Sequence, residues 1–202
     1  MPVSAWFSGV LQREMPWLTL TSGQISQLYL HYQLLERWNK QINLTTVAPG
    51  EEMVIRHYCE SLFFATHLSN GADSLVDIGS GAGFPGFPIA VVKPLWRVTL
   101  VESNQRKGVF LREATRGMTN VSVTPRRSEE ISETFVWVVA RAVNLEEVIR
   151  LVPRVGRRIG LMLGEEDLSI VQSAKHIAWS ESIRLPWGDR RICVMGVSRG
   201  TS

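Results

Sequence analysis

Four glycines and two acids mark the stretch of this chain best suited to hold a ligand. Asp77 lies in a short apolar run, Leu75-Val76-Asp77-Ile78, and glycines follow at positions 79, 81, 83 and 86. Pro88-Ile89-Ala90-Val91-Val92 then reads as the apolar face of a helix. Strand, glycine turn and helix together frame a nucleotide. Without a Cβ the backbone turns sharply and a ligand can lie against bare peptide, while the first N–H groups of the helix have no partner of their own. Glu102 comes 16 residues after Gly86, at the end of the next apolar run, where a carboxylate can accept two ribose hydroxyls.

Gly81-Ala82-Gly83-Phe84-Pro85-Gly86 satisfies the G-x-G-x-x-G pattern of dinucleotide sites, so an NAD-dependent oxidoreductase is one reading. Two features favour S-adenosylmethionine instead. Asp77 stands ahead of the glycines, and an acid there suits the ammonium of an amino-acid end but repels a pyrophosphate. A dehydrogenase also needs a substrate domain, and only a helical segment, residues 1–70, lies outside the nucleotide-binding part.

The elements that must position these residues follow from periodicity. Trp6, Val10 and Leu11 fit one face of a short helix ahead of Pro16. Thr21-Ser22-Gly23-Gln24 is a capping-box start, and the apolar stripe from Ile25 to Ile42 predicts a second helix. A third is expected over 50–68, closed by a turn at 70–73. Beyond it, strands and helices alternate, with strands at 97–102, 120–124, 135–140 and 158–163 and helices over 104–117, 145–152 and 166–174. Two last strands, 177–185 and 190–197, flank a turn at Trp187-Gly188-Asp189 and should pair antiparallel. The expected class is α/β: a Rossmann-like class I methyltransferase fold with a seven-stranded, mostly parallel sheet, an antiparallel C-terminal hairpin and preceding N-terminal helices. Residues 1–70 should pack on the core formed by 71–202, the two making one structural unit.

Composition sets the outer bounds. With 202 residues, 45% hydrophobic and 20% charged, the chain can bury one sizeable core. A formal net charge of +3 is compatible with an RNA partner without demanding one. Cys59 and Cys193 lie far apart in the sequence and read as free buried thiols of a reducing compartment. No basic segment followed by an apolar core opens the chain, and no apolar run approaches about 18 residues, so a soluble cytoplasmic protein is expected. His57-x-Cys59 with His67 matches no zinc spacing, and no metal is expected. Ser80, between two glycines, lacks the flanks of a nucleophile elbow.

At Asn39-Lys40-x-Ile42-Asn43-Leu44-Thr45, Arg56-His57, the run Asp77 to Gly86 and Arg141-Ala142, the sequence resembles one family closely. It is similar to the bacterial small-subunit (16S) ribosomal RNA guanine-N7 methyltransferases, the glucose-inhibited division protein B family, over about residues 25–197. The resemblance implies S-adenosyl-L-methionine as cofactor, with Asp77, Gly79, Gly81, Gly83, Phe84 and Glu102 about the donor and Ser128 and Glu129 beside its adenine. It places Arg141 at the reacting centre and also among the cofactor contacts, and Asn39, Asn43, Thr45, Arg56 and His57 on an RNA-facing rim. From spacing alone, the Asn and Thr residues also read as helix-end caps and Arg56 as a solvated side chain.

The reaction so implied asks little of side chains. Guanine N7 has an in-plane lone pair and no proton to lose, so no general base is required; alignment and placed charge suffice. Arg141 is the candidate for guanine O6 or a nearby phosphate, because its fork binds two acceptors. The partner implied is ribosomal RNA or the small subunit, acted on by a monomer. A member acting on a different RNA and a non-catalytic RNA- or ribosome-binding protein are the competing classes. Two departures from the family pattern concern the RNA side: Met162-Leu163-Gly164 replaces the usual Leu-Lys-Gly, and the last strand lacks lysines near its end.

Overall fold

A computed structural model describes residues 4–71, 73–188 and 190–199. Ala72 and Asp189, each in a predicted turn, lie outside the described residues. Helix α1 (Ala5–Glu14) buries Phe7, Val10 and Leu11. Helix α2 (Ser22–Asn39) opens on a complete capping box: Thr21 Oγ1 accepts from the Gln24 N–H at 3.2 Å, and Gln24 Oε1 accepts from the Thr21 N–H at 2.9 Å.

The helix expected over 50–68 divides into α3 (Glu51–Met53), a π-helical turn (Val54–Cys59) and α4 (Glu60–Thr66). π turns arise where an extra residue is fitted into a helix, and they cluster at functional positions. This one carries both Arg56 and His57.

The α/β part runs β1 (Ser74–Ile78), α5 (Gly86–Val92), β2 (Arg97–Val101), α6 (Gln105–Ala114), β3 (Val121–Thr124), β4 (Phe135–Arg141), α7 (Leu145–Val155), β5 (Gly156–Gly164), α8 (Leu168–Ser173), β6 (Ile177–Trp179), β7 (Ile183–Arg184) and β8 (Arg191–Ser198). Sheet order is β3-β2-β1-β4-β5-β8-β6, with β7 also on β8. Strands β1 to β5 are parallel, whereas β6, β7 and β8 pair antiparallel. The strand order reverses between β1 and β4, which is where open sheets of this kind place a ligand.

Among the described residues, eight strands replace the seven expected. The segment 177–185 does not run as one strand, because Ser180-Glu181-Ser182 has no apolar alternation to bury. Ser180 Oγ also accepts the Met195 N–H at 3.3 Å, a side-chain bond that competes with regular pairing.

Two apolar clusters lie against the sheet. One joins Phe7, Leu28, Leu35 and Tyr58 of the N-terminal helices to Phe87, Phe110 and Leu100. The other packs Val148, Ile149 and Val152 of α7 on Val76, Val138 and Leu161. Each such side chain contributes roughly 1.5–3 kcal/mol when fully buried. The N-terminal helices and the sheet thus share a core. Cys59 and Cys193 are free and buried, and burial pushes both thiols up to about 12. Among the described residues no helix is long and apolar enough to cross a membrane.

Candidate active site

The turn after β1 is held from two sides. Asp77, fully buried, accepts the Gly86 N–H on Oδ2 at 3.0 Å and so ties the start of α5 to the strand. Glu102, at the end of β2, accepts from Gly81 N–H at 3.0 Å and from Asn104 N–H at 2.8 Å. Between these ties Gly79 and Gly81 adopt φ of 68° and 56°, where a side chain would be strained. Ser80 is buried and donates to the Asp77 carbonyl at 2.9 Å, so its hydroxyl shapes the turn.

The loop faces two ways. A Cβ on Gly81 would meet only the Gly79 carbonyl oxygen, at 3.8 Å, which leaves its outer side open. Gly83 instead turns inward, with His31 Nε2 3.3 Å from where its Cβ would be. Phe84 is also inward, stacked on His57 with centroids 4.7 Å apart and edge-on to His31 and Tyr58. It couples the glycine turn to the N-terminal helices.

Beyond β4 the chain turns through Arg141-Ala142-Val143. Ala142 holds φ of 54°, a left-handed conformation worth roughly 1–2 kcal/mol of strain in a non-glycine residue. Val143 reaches across the switch point to Gly79 and also lines a cavity of about 660 Å³. Asn43, Thr45, Arg56, His57 and Arg141 share that lining, together with Leu163 and Arg191. The cavity therefore gathers most of the predicted rim beside the predicted reacting-centre residue.

Asn39 stands behind this wall rather than in it. Its Oδ1 accepts from the Leu44 and Thr45 N–H groups, each at 2.9 Å, and its Nδ2 donates to the Thr45 carbonyl at 2.9 Å. For Asn39 the capping role is the one observed, and it sets the shape of the rim loop. Thr45 Oγ1 lies 2.7 Å from His57 Nε2. Burial, with Arg141, Arg56 and Arg191 nearby, holds His57 down at about 3, so the imidazole is neutral. Ser128 and Glu129 occupy a short turn whose carbonyls accept from Arg154, and they line a separate depression with Glu147 and Arg150. The structure does not bring them to the cavity wall.

Residues 24–175 match the family model described as GidB, rRNA small subunit methyltransferase G. The chain belongs to the GidB family. A small subunit methyltransferase G of Nitrosomonas europaea is 43% identical over 122 residues, 59% of this chain and 56% of that protein. One from Xanthomonas axonopodis pv. citri is 39% identical over 141 residues, 68% of this chain and 66% of its own. The chain thus spans between about half and two thirds of the length of these GidB relatives. A solved SAM-dependent methyltransferase from Aquifex aeolicus aligns with a TM-score of 0.59 at 14% identity, covering 75% of this chain and 94% of that one. At that identity the likeness concerns the fold alone, which is the class I S-adenosylmethionine-dependent methyltransferase fold.

One residue beside this cavity escaped the sequence reading. Glu60, wholly buried at the start of α4, lies 2.6 Å from Arg191 and 3.3 Å from Arg141. Burial pushes its carboxyl up, to about 7, against the guanidiniums of Arg141, Arg191 and Arg56, which favour the ionised form. Arg191 is largely covered by this contact. The available signal was an acid set in the apolar stripe between Tyr58-Cys59 and Leu62.

Proposed function

We propose that this protein transfers a methyl group from S-adenosylmethionine to N7 of a guanine in small-subunit (16S) ribosomal RNA. The observation that carries the reading is the junction at Val143, where an open glycine turn fit for a nucleoside meets a cavity rimmed by arginines. The open side of Gly81 and the acid at Glu102 fit the donor. When bound, S-adenosylmethionine supplies a methyl group on a positively charged sulfur.

This chain's own residues bind and orient. Gly79 and Gly81 lay backbone against the donor, and Glu102 keeps lone pairs free for ribose hydroxyls beyond those it gives to the turn. Asp77 acts from beneath, where its second oxygen, Oδ1, is buried without a partner and favours a cationic group above the loop. Gly83 and Phe84 fix the turn to the N-terminal helices, while Ser128 and Glu129, in the turn after β3, would stand on the adenine side. Arg141 holds the guanine or a phosphate beside it. Asn43, Thr45, Arg56 and His57, on a loop braced by Asn39, face the RNA, so that residues 1–70 serve as the substrate side of domain 71–202. No residue needs to take a proton, because N7 has none to give. The partner is ribosomal RNA or the small subunit, met in the cytoplasm by a monomer.

The test is incubation of small ribosomal subunits and protein-free RNA with labelled methyl donor, followed by mapping of the modified base. Label on a guanine N7 supports the reading, and no label in either substrate overturns it. RNA binding indifferent to the donor, without transfer, would instead make this a non-catalytic RNA-binding protein.

A further inference from the structure

Beneath the cavity lies a cluster of three charged side chains, Glu60, Arg141 and Arg191. Arg141 ends β4 and Arg191 begins β8, the two strands that flank β5. The intervening β5 positions that line the cavity, Met162, Leu163 and Gly164, carry no charge. Arg191 is paired in register with Gly164, as Cys193 is with Met162, so its side chain lies on the sheet face that α4 covers. Glu60 enters from α4, and a single oxygen, Oε2, meets both guanidiniums.

Among the described residues, one carboxylate faces two arginines, Arg141 Nη1 is buried with no hydrogen-bond acceptor, and the Glu60 oxygens meet the guanidiniums as an ion pair without a hydrogen bond, so the cluster is not saturated internally. Around the same cavity stand Arg56 and Arg190, against Glu166 and Asp167. The two guanidiniums both line the cavity, and a singly charged acceptor with more than one oxygen to offer, the chemistry of a phosphodiester, fits between them.

We infer that Glu60 joins Arg141 and Arg191 into one clamp for a phosphodiester of the RNA strand, and that Glu60 is a positioning residue of the site. The inference rests on the reading of the cavity as RNA-facing. Glu60 touches no substrate; it fixes the spacing of two guanidiniums that would otherwise repel each other and turn to solvent. Because it belongs to the N-terminal helices while both arginines belong to the sheet, the clamp also sets the rim against the donor side.

Binding of a single-stranded RNA oligonucleotide across a salt series, read by fluorescence anisotropy, tests the clamp without methyl transfer, and turnover on small subunits tests its use. Arg191→Ala is expected to flatten the slope of log affinity against log salt by about 0.7, the loss of one phosphate contact. Glu60→Gln should bind RNA at least as tightly as wild type, since both guanidiniums remain, yet lose kcat by about 10- to 100-fold through misplacement. Glu60→Asp should recover part of that loss. An unchanged salt slope in Arg191→Ala overturns the clamp. So does an unchanged kcat in Glu60→Gln, or a joint loss of kcat and RNA affinity that Glu60→Asp does not repair. Should Glu60→Gln fail to fold, the Arg191→Ala slope decides alone. A wild type that binds RNA but transfers no methyl group defeats the proposed reaction, and the slope comparison still judges the clamp.

Discussion

A Cβ placed on Gly79 would lie 2.5 Å from Cγ1 of Val143. The turns after β1 and β4 are thus in contact across the switch point, and the residue that packs on the glycine turn also lines the cavity. Nothing larger than hydrogen fits at position 79 without moving Val143. The backbone there, at φ of 68°, adds roughly 1–2 kcal/mol of strain for any other residue. Gly79→Asp is expected to abolish S-adenosylmethionine binding in a calorimetric titration, because it adds this displacement and an acid together. Wild-type affinity in that variant would remove the turn from the donor site.

Gly86 is constrained by contact. An added Cβ would fall 2.7 Å from Asp77 Oδ2 and 2.9 Å from its Cβ, and would also collide with Leu100. All three atoms belong to the packed sheet face, so Gly86→Ala should destabilise the fold by about 1–3 kcal/mol, as overpacking does. Urea denaturation measures it, and a midpoint equal to that of wild type would contradict this packing.

How far the sequence spoke depends on which physical signal each residue left. The glycine spacing and the two acids were legible because a nucleotide-binding turn leaves few alternatives to glycine at its tight points. The parallel sheet was legible in the apolar run 135–140, which is buried on both faces. The break at Ser180-Glu181-Ser182 was not, because the run looked long enough for one strand and only the pairing with Met195 shows where it leaves the sheet. Asn39 and Arg56-His57 could be named as a group but not sorted. Capping and substrate contact demand the same residue types, and only the bonds to Leu44 and Thr45 put Asn39 behind the rim. Glu60 and Arg191 are separated by 131 positions in sequence, so no local pattern could pair them.

Asn39 makes its own case. Its amide satisfies two backbone N–H groups and one carbonyl in the loop that carries Asn43 and Thr45. Asn39→Ala should destabilise by about 1–3 kcal/mol, the penalty of leaving partly buried backbone groups unpaired. Hydrogen exchange of the Leu44 and Thr45 amides should rise selectively, and KM for RNA should rise with S-adenosylmethionine affinity unchanged. Unaltered exchange at those two amides would refute the bracing role.

Asp77 provides a pH prediction whose sign is fixed by its burial. Burial pushes its carboxyl up to about 7, although the Gly86 N–H and the Ser80 hydroxyl favour the ionised form. The folded state therefore holds the proton more tightly than the unfolded chain, where an aspartate titrates at about 3.9. This contribution to stability is fully present below that value and is lost as the pH rises through about 7. Asn at this position does not titrate and can still accept from Gly86. The stability of wild type relative to Asp77→Asn should accordingly fall as pH rises from about 4 to about 7.5, by up to the order of 4 kcal/mol. His31 and His57 act in the opposite sense. Burial holds each near 3, so each withdraws stability as the pH falls below about 6.5, but both are common to the two proteins and cancel in the difference. Urea denaturation of both proteins across this range gives the difference directly. A flat difference would show that the Asp77 carboxyl keeps its ordinary affinity for the proton, and that the cation-favouring oxygen beneath the donor loop is already satisfied.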